Sequence, residues 1–233
     1  MTSANIVSMP RTLAGFQDAA RKQESLLAGL EKKCLVWLAS RMPAWVNSDH
    51  LTLLGFAAMF LAGASYALAR GWSPFLLVVN VWLAVNWFGD SLDGTLARFR
   101  NRQRPRYGFY VDHIVDSFGA LFLISGLALS GYMAGWVAFS LLIAFYLLSV
   151  NTYLATYTLG TFQLSFWKFS PTEMRILLAI GNAYAWTNPT VNVFGAEERF
   201  FDVAGMAGVI CMAVVLIASV ARNTLALYRL EKA

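Results

Sequence analysis

The chain alternates long apolar stretches with short polar segments, and this pattern predicts helices that cross a membrane. The stretches without a single charged side chain are residues 51–69, 71–89, 117–167, 176–196 and 203–221. A spanning helix needs about 20 mainly apolar residues. The third stretch is therefore long enough for two spans, with a reversal near residues 131–135, and the whole pattern predicts six transmembrane helices in an all-α integral membrane protein.

The segment before the first span has a different pattern. Its apolar residues recur at helical spacing and are Phe16, Ala20, Leu27, Leu30, Cys34 and Leu38. Basic residues lie mostly on other faces, and Glu31 interrupts the pattern. We predict an amphipathic helix on the membrane surface; the alternative is a helix packed on the rest of the protein. The chain then divides into an interfacial segment, residues 1–46, and a six-helix catalytic domain, residues 47–233.

Composition agrees with a bilayer as the solvent. Hydrophobic residues make up 58% of the chain, charged residues 13%, and the mean hydropathy is +0.55. Soluble domains carry about 25% charged residues, so these values exclude a soluble globular enzyme, and they exclude intrinsic disorder. The net charge of +5 favours anionic lipid and phosphate-bearing substrates over nucleic acid, because the basic residues flank apolar spans and no RNA-binding or zinc signature accompanies them.

The basic residues also predict an orientation. With six spans, every Lys and Arg except Arg70 and Arg199 falls on the side of the two termini. By the positive-inside rule that side is cytoplasmic. We therefore expect a multi-pass protein with cytoplasmic N- and C-termini.

Four acids stand where carboxylates are costly, at the predicted cytoplasmic ends of the second and third spans. They are Asp90, Asp93, Asp112 and Asp116. One such residue can be a satisfied structural group, but four of them indicate function. Hard oxygen ligands without His or Cys select Mg²⁺ or Mn²⁺, and four carboxylates are enough for two ions. Such a site suits displacement at phosphorus, with a spare carboxylate to accept a proton.

Small residues accompany these acids. Gly94 and Ala97 share a helical arc of roughly 100° with the first two acids, and Gly108 lies one turn before Asp112. A bulky ligand can approach the backbone on such a face.

These positions carry a family resemblance. The residues Asp90, Asp93, Gly94, Ala97 and Arg98, followed by Gly108, Asp112 and Asp116, resemble the DxxDGxxAR and GxxxDxxxD signature of the CDP-alcohol phosphotransferases. The resemblance implies a homodimeric six-helix membrane enzyme of phospholipid biosynthesis that cleaves a CDP-linked donor, releases CMP and transfers the substituted phosphate to an alcohol.

The resemblance also implies roles for individual residues. Asp90, Asp93 and Asp112 would bind metal, and Asp116 would bind the second ion and act as the general base. The residues that would bind the nucleotide are Gly94, Ala97, Arg98, Gly108 and Thr52, the last because residues 43–52 resemble the entry to the first span in this family. A helix cap by Ser48 or Asp49 explains that segment equally well.

Other polar residues near the predicted site have two interpretations each. His113 could assist proton removal, or it could hold the catalytic residues in place without contacting the substrate. Glu173 and Arg175 could line the acceptor pocket. Alternatively, they could simply belong to the start of an ordinary helix, since Pro171 is typical of a first helical position. Asn86 could meet the nucleotide or another helix. Each arginine from position 100 to 106 is either an anion-binding group or a solvated loop residue.

Two questions about function stay open at this point. A cation- or proton-coupled transporter would also carry membrane acids, but along a path through the bilayer, whereas these four cluster at one end. Within the enzyme interpretation, the short chain favours CDP-diacylglycerol as the donor. The adjacent Asp112 and His113 instead resemble choline and ethanolamine phosphotransferases, which use diacylglycerol as the acceptor.

Overall fold

The computed structural model describes residues 28–159 and 171–232. Within them the chain is helical apart from its connections and one β-hairpin. The elements are α1 (Ala28–Arg41), α2 (Ser48–Ala69), α3 (Phe75–Phe99), α4 (Pro105–Leu129), α5 (Gly135–Leu159), α6 (Pro171–Thr187), β1 (Thr190–Val193), β2 (Ala196–Arg199) and α7 (Phe200–Leu230).

Five helices, α2, α3, α4, α5 and α7, are long and apolar enough to cross a membrane. The predicted reversal near residues 131–135 is confirmed, since α4 ends at Leu129 and α5 begins at Gly135. Helix α6 has 17 residues, which at 1.5 Å per residue is about 26 Å, less than the ~30 Å hydrocarbon core. An integral membrane protein is thus supported by five spans, and the sixth stays a prediction.

The predicted span over residues 176–196 is wrong in its second half. Helix α6 ends at Thr187, and the antiparallel strands β1 and β2 pair Thr190 with Arg199. Pro189 accounts for the break, because proline cannot donate to a helical hydrogen bond. Phe194 and Gly195 form the turn with φ values of 51° and 91°, the geometry of a type I′ hairpin.

Helix α1 packs against α3. Leu35 and Ala39 are buried in a cluster with Leu92 and Leu96 of α3, while Leu30 and Cys34, from the face predicted to be apolar, are exposed. In the described part of this segment, the packing face centres on Leu35 and Ala39, and of the predicted apolar residues Leu38 also packs against this cluster. Phe16, Ala20 and Leu27 lie outside the described residues, as do residues 160–167 of the predicted fourth span.

Helix α2 begins with a capping box that the sequence did not reveal. Asn47 Oδ1 accepts from the backbone N–H of His50 at 3.1 Å, and the Asn47 N–H donates to His50 Nδ1 at 3.4 Å. The predicted caps, Ser48 and Asp49, do not serve, because each turns to another partner described below. The start of α2 is fixed by this reciprocal pair.

Glycines allow α2 to approach its two neighbours closely. Gly89 of α3 faces Gly55 of α2, and a Cβ atom added at Gly89 would lie 2.6 Å from the Leu51 carbonyl oxygen and 2.7 Å from the Gly55 nitrogen. Gly63 of α2 and Gly126 of α4 make a similar backbone contact. Small residues of this kind let membrane helices pack through van der Waals contact, and here they bring together the three helices around the acids.

Candidate active site

Helices α3 and α4 carry the residues of the sequence motif. Helix α3 runs to Phe99 and therefore includes Asp90 and Asp93 in its last turns. Helix α4 starts with a proline, which is favourable at the first helical position, and includes Asp112 and Asp116. Each pair of acids sits three or four residues apart and so shares a helix face.

The packing of α2 between α3 and α4 gathers the four acids. The charges of Asp90, Asp93 and Asp112 all act on the carboxylate of Asp116, as does the charge of Arg175. Carboxylates whose charges act on one another form a negatively charged cluster that attracts cations.

The four carboxylates have the donor chemistry for Mg²⁺ or Mn²⁺. In the part of the chain that the structure describes, no three His, Cys, Asp or Glu side chains are placed to hold one ion together. Thr52 and Arg175 donate to oxygens of Asp93 and Asp90, respectively. The donor set therefore fits a hard divalent cation, and binding would require the carboxylates to move closer to one another.

Asp93 is held by the start of α2. Thr52 Oγ1 donates to Asp93 Oδ2 at 2.6 Å, Ser48 Oγ donates to the Asp93 carbonyl oxygen at 2.9 Å, and the Gly94 N–H donates to Asp93 Oδ1. Thr52, predicted to meet the nucleotide, thus directly orients a carboxylate. Gly89 and Gly55 make these contacts geometrically possible, because they permit α2 and α3 to lie close together.

Asp90 is held by Arg175 of α6. Arg175 Nη2 donates to Asp90 Oδ2 at 2.5 Å, and Arg175 Nε donates to Asn86 Oδ1 at 2.8 Å. Asn86 Nδ2 in turn donates to the Gly55 carbonyl oxygen at 3.0 Å, so Asn86 contacts other helices. Arg175 Nη1 is buried and has no hydrogen-bond partner within the described ranges. A buried hydrogen-bond donor without a partner costs free energy. Nη1 lies beside the acids, where an anionic ligand would accept its hydrogen bond.

The remaining candidates lie around this centre. Glu173 is buried in the first turn of α6. The His113 ring donates from Nδ1 to the Phe109 carbonyl oxygen at 2.6 Å, since a carbonyl can only accept, and stands 4.9 Å from the Tyr153 ring. Arg98 donates to Thr95 Oγ1 at 3.2 Å.

The three small residues of the motif differ in the space beside them. A Cβ atom at Gly108 would meet nothing within 4 Å, whereas one at Gly94 would lie 3.3 Å from Nη1 of Arg98. Ala97 is half-buried. The open side of Gly108 therefore offers the most room to a ligand.

Two arginines of the α3–α4 connection have structural partners. Arg100 donates to the carbonyl oxygens of Val46, Met42 and Pro43, and so secures the connection between α1 and α2. Arg104 forms an ion pair with Asp49. Arg102 and Arg106 are exposed. Nothing in the local sequence indicated the role of Arg100, because its three acceptors are backbone atoms.

Comparison with known families decides the relationship that the motif suggested. A family model described as CDP-alcohol phosphatidyltransferase matches residues 45–226, which is most of the chain. The chain belongs to the CDP-alcohol phosphatidyltransferase family. The match includes all four acids and extends into α7.

Three relatives illustrate the breadth of the CDP-alcohol phosphatidyltransferase family around this chain. Cholinephosphotransferase 1 of Gallus gallus is 28% identical over 73% of this chain and 54% of its own length. Archaetidylinositol phosphate synthase of Pyrococcus horikoshii is 30% identical over 46% and 53%. CDP-diacylglycerol–serine O-phosphatidyltransferase of Encephalitozoon cuniculi is 35% identical over 51% and 32%. The chain spans about half the length of the first two relatives.

Proposed function

We propose that this chain is a metal-dependent membrane phosphotransferase that cleaves a CDP-linked donor, releases CMP and transfers the substituted phosphate to an alcohol. The observation that carries the proposal is the gathering of four acids, in which Thr52 holds Asp93, Arg175 holds Asp90, and the charges of Asp90, Asp93 and Asp112 act on Asp116. Family membership supports the CDP-linked substrate. A transporter would instead require acids along a path through the membrane.

Asp116 is the proposed general base. It takes the proton of the acceptor hydroxyl, and the hydroxyl oxygen forms a bond to the phosphorus that carries the transferred group. The bond between that phosphorus and the bridging oxygen breaks, and its electron pair leaves with CMP. The other acids keep their positions through Thr52 and Arg175, so the reacting groups meet in a defined geometry.

Asp90, Asp93, Asp112 and Asp116 are the proposed ligands for two Mg²⁺ or Mn²⁺ ions. When bound, such ions neutralise the diphosphate and stabilise the departing phosphate. The open side of Gly108, with Gly94, Ala97 and Arg98, is the proposed nucleotide side of the pocket. Glu173 and Arg175 are proposed for the acceptor side, and the unpartnered Nη1 of Arg175 supports an anionic group there.

The donor has two candidates. The main proposal is CDP-diacylglycerol with a polar alcohol as acceptor, which the relative from Encephalitozoon cuniculi supports by its name. The second is a CDP-choline or CDP-ethanolamine donor with diacylglycerol as acceptor. His113 beside Asp112 and the cholinephosphotransferase relative favour this second candidate.

We also propose six spans, cytoplasmic termini and a pocket that opens to the cytoplasm. The distribution of Lys and Arg supports this orientation. The homodimer implied by the family resemblance stays part of the proposal. A single-cysteine label at Met174 or at Phe194, both exposed, would react from opposite sides of the membrane if the orientation is correct.

The proposed function is tested by CMP release from purified protein in lipid vesicles. Both donor classes are crossed with glycerol phosphate, serine, inositol, inositol phosphate, choline and diacylglycerol. Release with one pairing, dependent on Mg²⁺ or Mn²⁺, is expected. No release with any pairing would contradict the proposal.

A further inference from the structure

We propose that Glu31 of α1 is a positioning residue that holds the first turn of α6 against α3 and thereby sets Arg175 on Asp90. Glu31 lies outside the sequence motif. Its effect on the position of α6 stands on contacts alone, whereas its effect on turnover rests on the proposed function.

One carboxylate oxygen joins three helices. Glu31 Oε1 accepts from Nε1 of Trp87 in α3 at 2.9 Å and from Oγ1 of Thr172 in α6 at 2.6 Å. Hydrogen bonds to a charged acceptor are stronger than those between neutral groups. Glu31 therefore acts as a bridge between α3 and α6 that is supplied by a separate helix.

The packing of α1 fixes the direction of this side chain. Glu31, Leu35 and Ala39 follow one another at intervals of four residues and so share one face of the helix. Leu35 is 7% exposed and Ala39 is 2% exposed, both in the cluster that α1 forms with α3. The residue that interrupts the apolar pattern of the sequence thus lies on the packing face.

Electrostatics favours the same arrangement. Helix α6 begins at Pro171, and the first turn of a helix carries a partial positive charge. The Glu31 carboxylate meets this turn at Thr172. A negative charge stabilises a helix N-terminus, so Glu31 secures the end of α6 by charge as well as by hydrogen bonding.

The bridge lies next to the ion pair at the candidate site. Thr172 and Arg175 are three residues apart on α6, and Trp87 and Asp90 are three residues apart on α3, so each pair shares a face. Near the start of α6, Glu31 therefore adds a link between these helices to the one that Arg175 makes with Asp90 and Asn86. The contacts of Asn80 with Ala179 and Asn182 join the same helices farther along. Loss of the Glu31 link lets the start of α6 move and lowers the time that Arg175 spends on Asp90.

A distance measurement tests the positional claim without any activity. Spin labels are attached at Leu53 of α2 and Met174 of α6, both exposed, after the exposed Cys34 and Cys211 are replaced by serine. Pulsed electron paramagnetic resonance then gives the distribution of label distances in lipid vesicles.

Three variants are compared with the parent protein. Glu31→Ala is expected to shift or broaden the distance distribution. Glu31→Gln should stay close to the parent, because its amide oxygen accepts the same two donors. Lys33→Ala, an exposed change on the same helix, is the control and should have no effect. Should Glu31→Ala fail to fold, Thr172→Val removes one donor and is expected to give the same change.

Turnover provides the second readout. In Glu31→Ala the KM for the CDP-linked donor is expected to rise several-fold, with Glu31→Gln restoring most of the loss. A distance distribution in Glu31→Ala, or in Thr172→Val, that superimposes on the parent would overturn the inference. Absence of CMP release in the parent protein would contradict the proposed function alone, and the distance result would still decide the role of Glu31.

Discussion

Replacement of Gly89 by alanine should separate α2 from α3 and damage the candidate site. The added Cβ atom would stand 2.6 Å from the Leu51 carbonyl oxygen, which must withdraw by about 0.8 Å to reach the 3.4 Å of ordinary contact. The obstacle is the backbone of α2, since the Gly55 nitrogen, one turn after Leu51, lies 2.7 Å away. A change of rotamer therefore cannot relieve it.

The expected magnitude follows from this displacement. Overpacking of a close contact costs about 1–3 kcal/mol, and at roughly 2–4 °C per kcal/mol for a chain of this size the Tm should fall by about 2–12 °C. The same movement would lengthen the hydrogen bond from Thr52 to Asp93. Since misplacement by about 1 Å can cost 10²-fold in rate, we expect a fall in kcat/KM of about one to two orders of magnitude.

The assay combines thermal unfolding and CMP release on the same preparation. Gly29→Ala is the matched control, because a Cβ atom there meets nothing within 4 Å. Thr52→Val separates the two effects, as it removes the hydrogen bond without moving the helices. A Gly89→Ala protein with the Tm and kcat/KM of the parent would refute the reasoning.

Two further changes test the core and the pocket. Tyr66→Phe removes the buried hydroxyl that donates to Asn182 Oδ1 at 2.7 Å. It should lower the free energy of unfolding by about 0.6–2 kcal/mol, measured by thermal unfolding. Tyr228→Phe, a change at an exposed residue, is the control and should leave the stability unchanged. Gly108→Ala should leave the Tm equal or slightly higher, because the added Cβ atom has space and alanine is the better helix former. The KM for the CDP-linked donor should rise. An unchanged KM would show that the nucleotide does not bind beside Gly108.

The sequence predicted those features that depend on local spacing. The acids of α3 and α4 were expected at the ends of two spans, since apolar length and helical periodicity are both readable along the chain. The reversal between α4 and α5 followed from an uncharged stretch too long for one span. The hairpin after Thr187 was missed because its residues are apolar enough to continue a span by composition.

Contacts between segments that are distant in sequence cannot be predicted from local spacing. The pairing of Arg175 with Asp90 depends on how α6 packs against α3. Glu31 appears in its own segment only as a charged interruption of the apolar pattern, since its two donors come from other helices. The sequence predicts that Arg100 is either an anion-binding group or a solvated loop residue, and neither prediction anticipates its acceptors, which are backbone carbonyl oxygens. Such partners have no signature in the local sequence, since any residue can supply a carbonyl oxygen.

The most direct test of the central claim is CMP release by the parent protein and by Asp116→Asn, each with Mg²⁺ and with a chelator. Loss of a general base lowers the rate by about 10²–10⁴-fold. We therefore predict that CMP release by the parent requires the metal, and that the rate of release falls by at least about 10²-fold in Asp116→Asn. Glu198→Gln, an exposed change in the hairpin, should match the parent. Metal-independent release, or full activity of Asp116→Asn, would contradict the account.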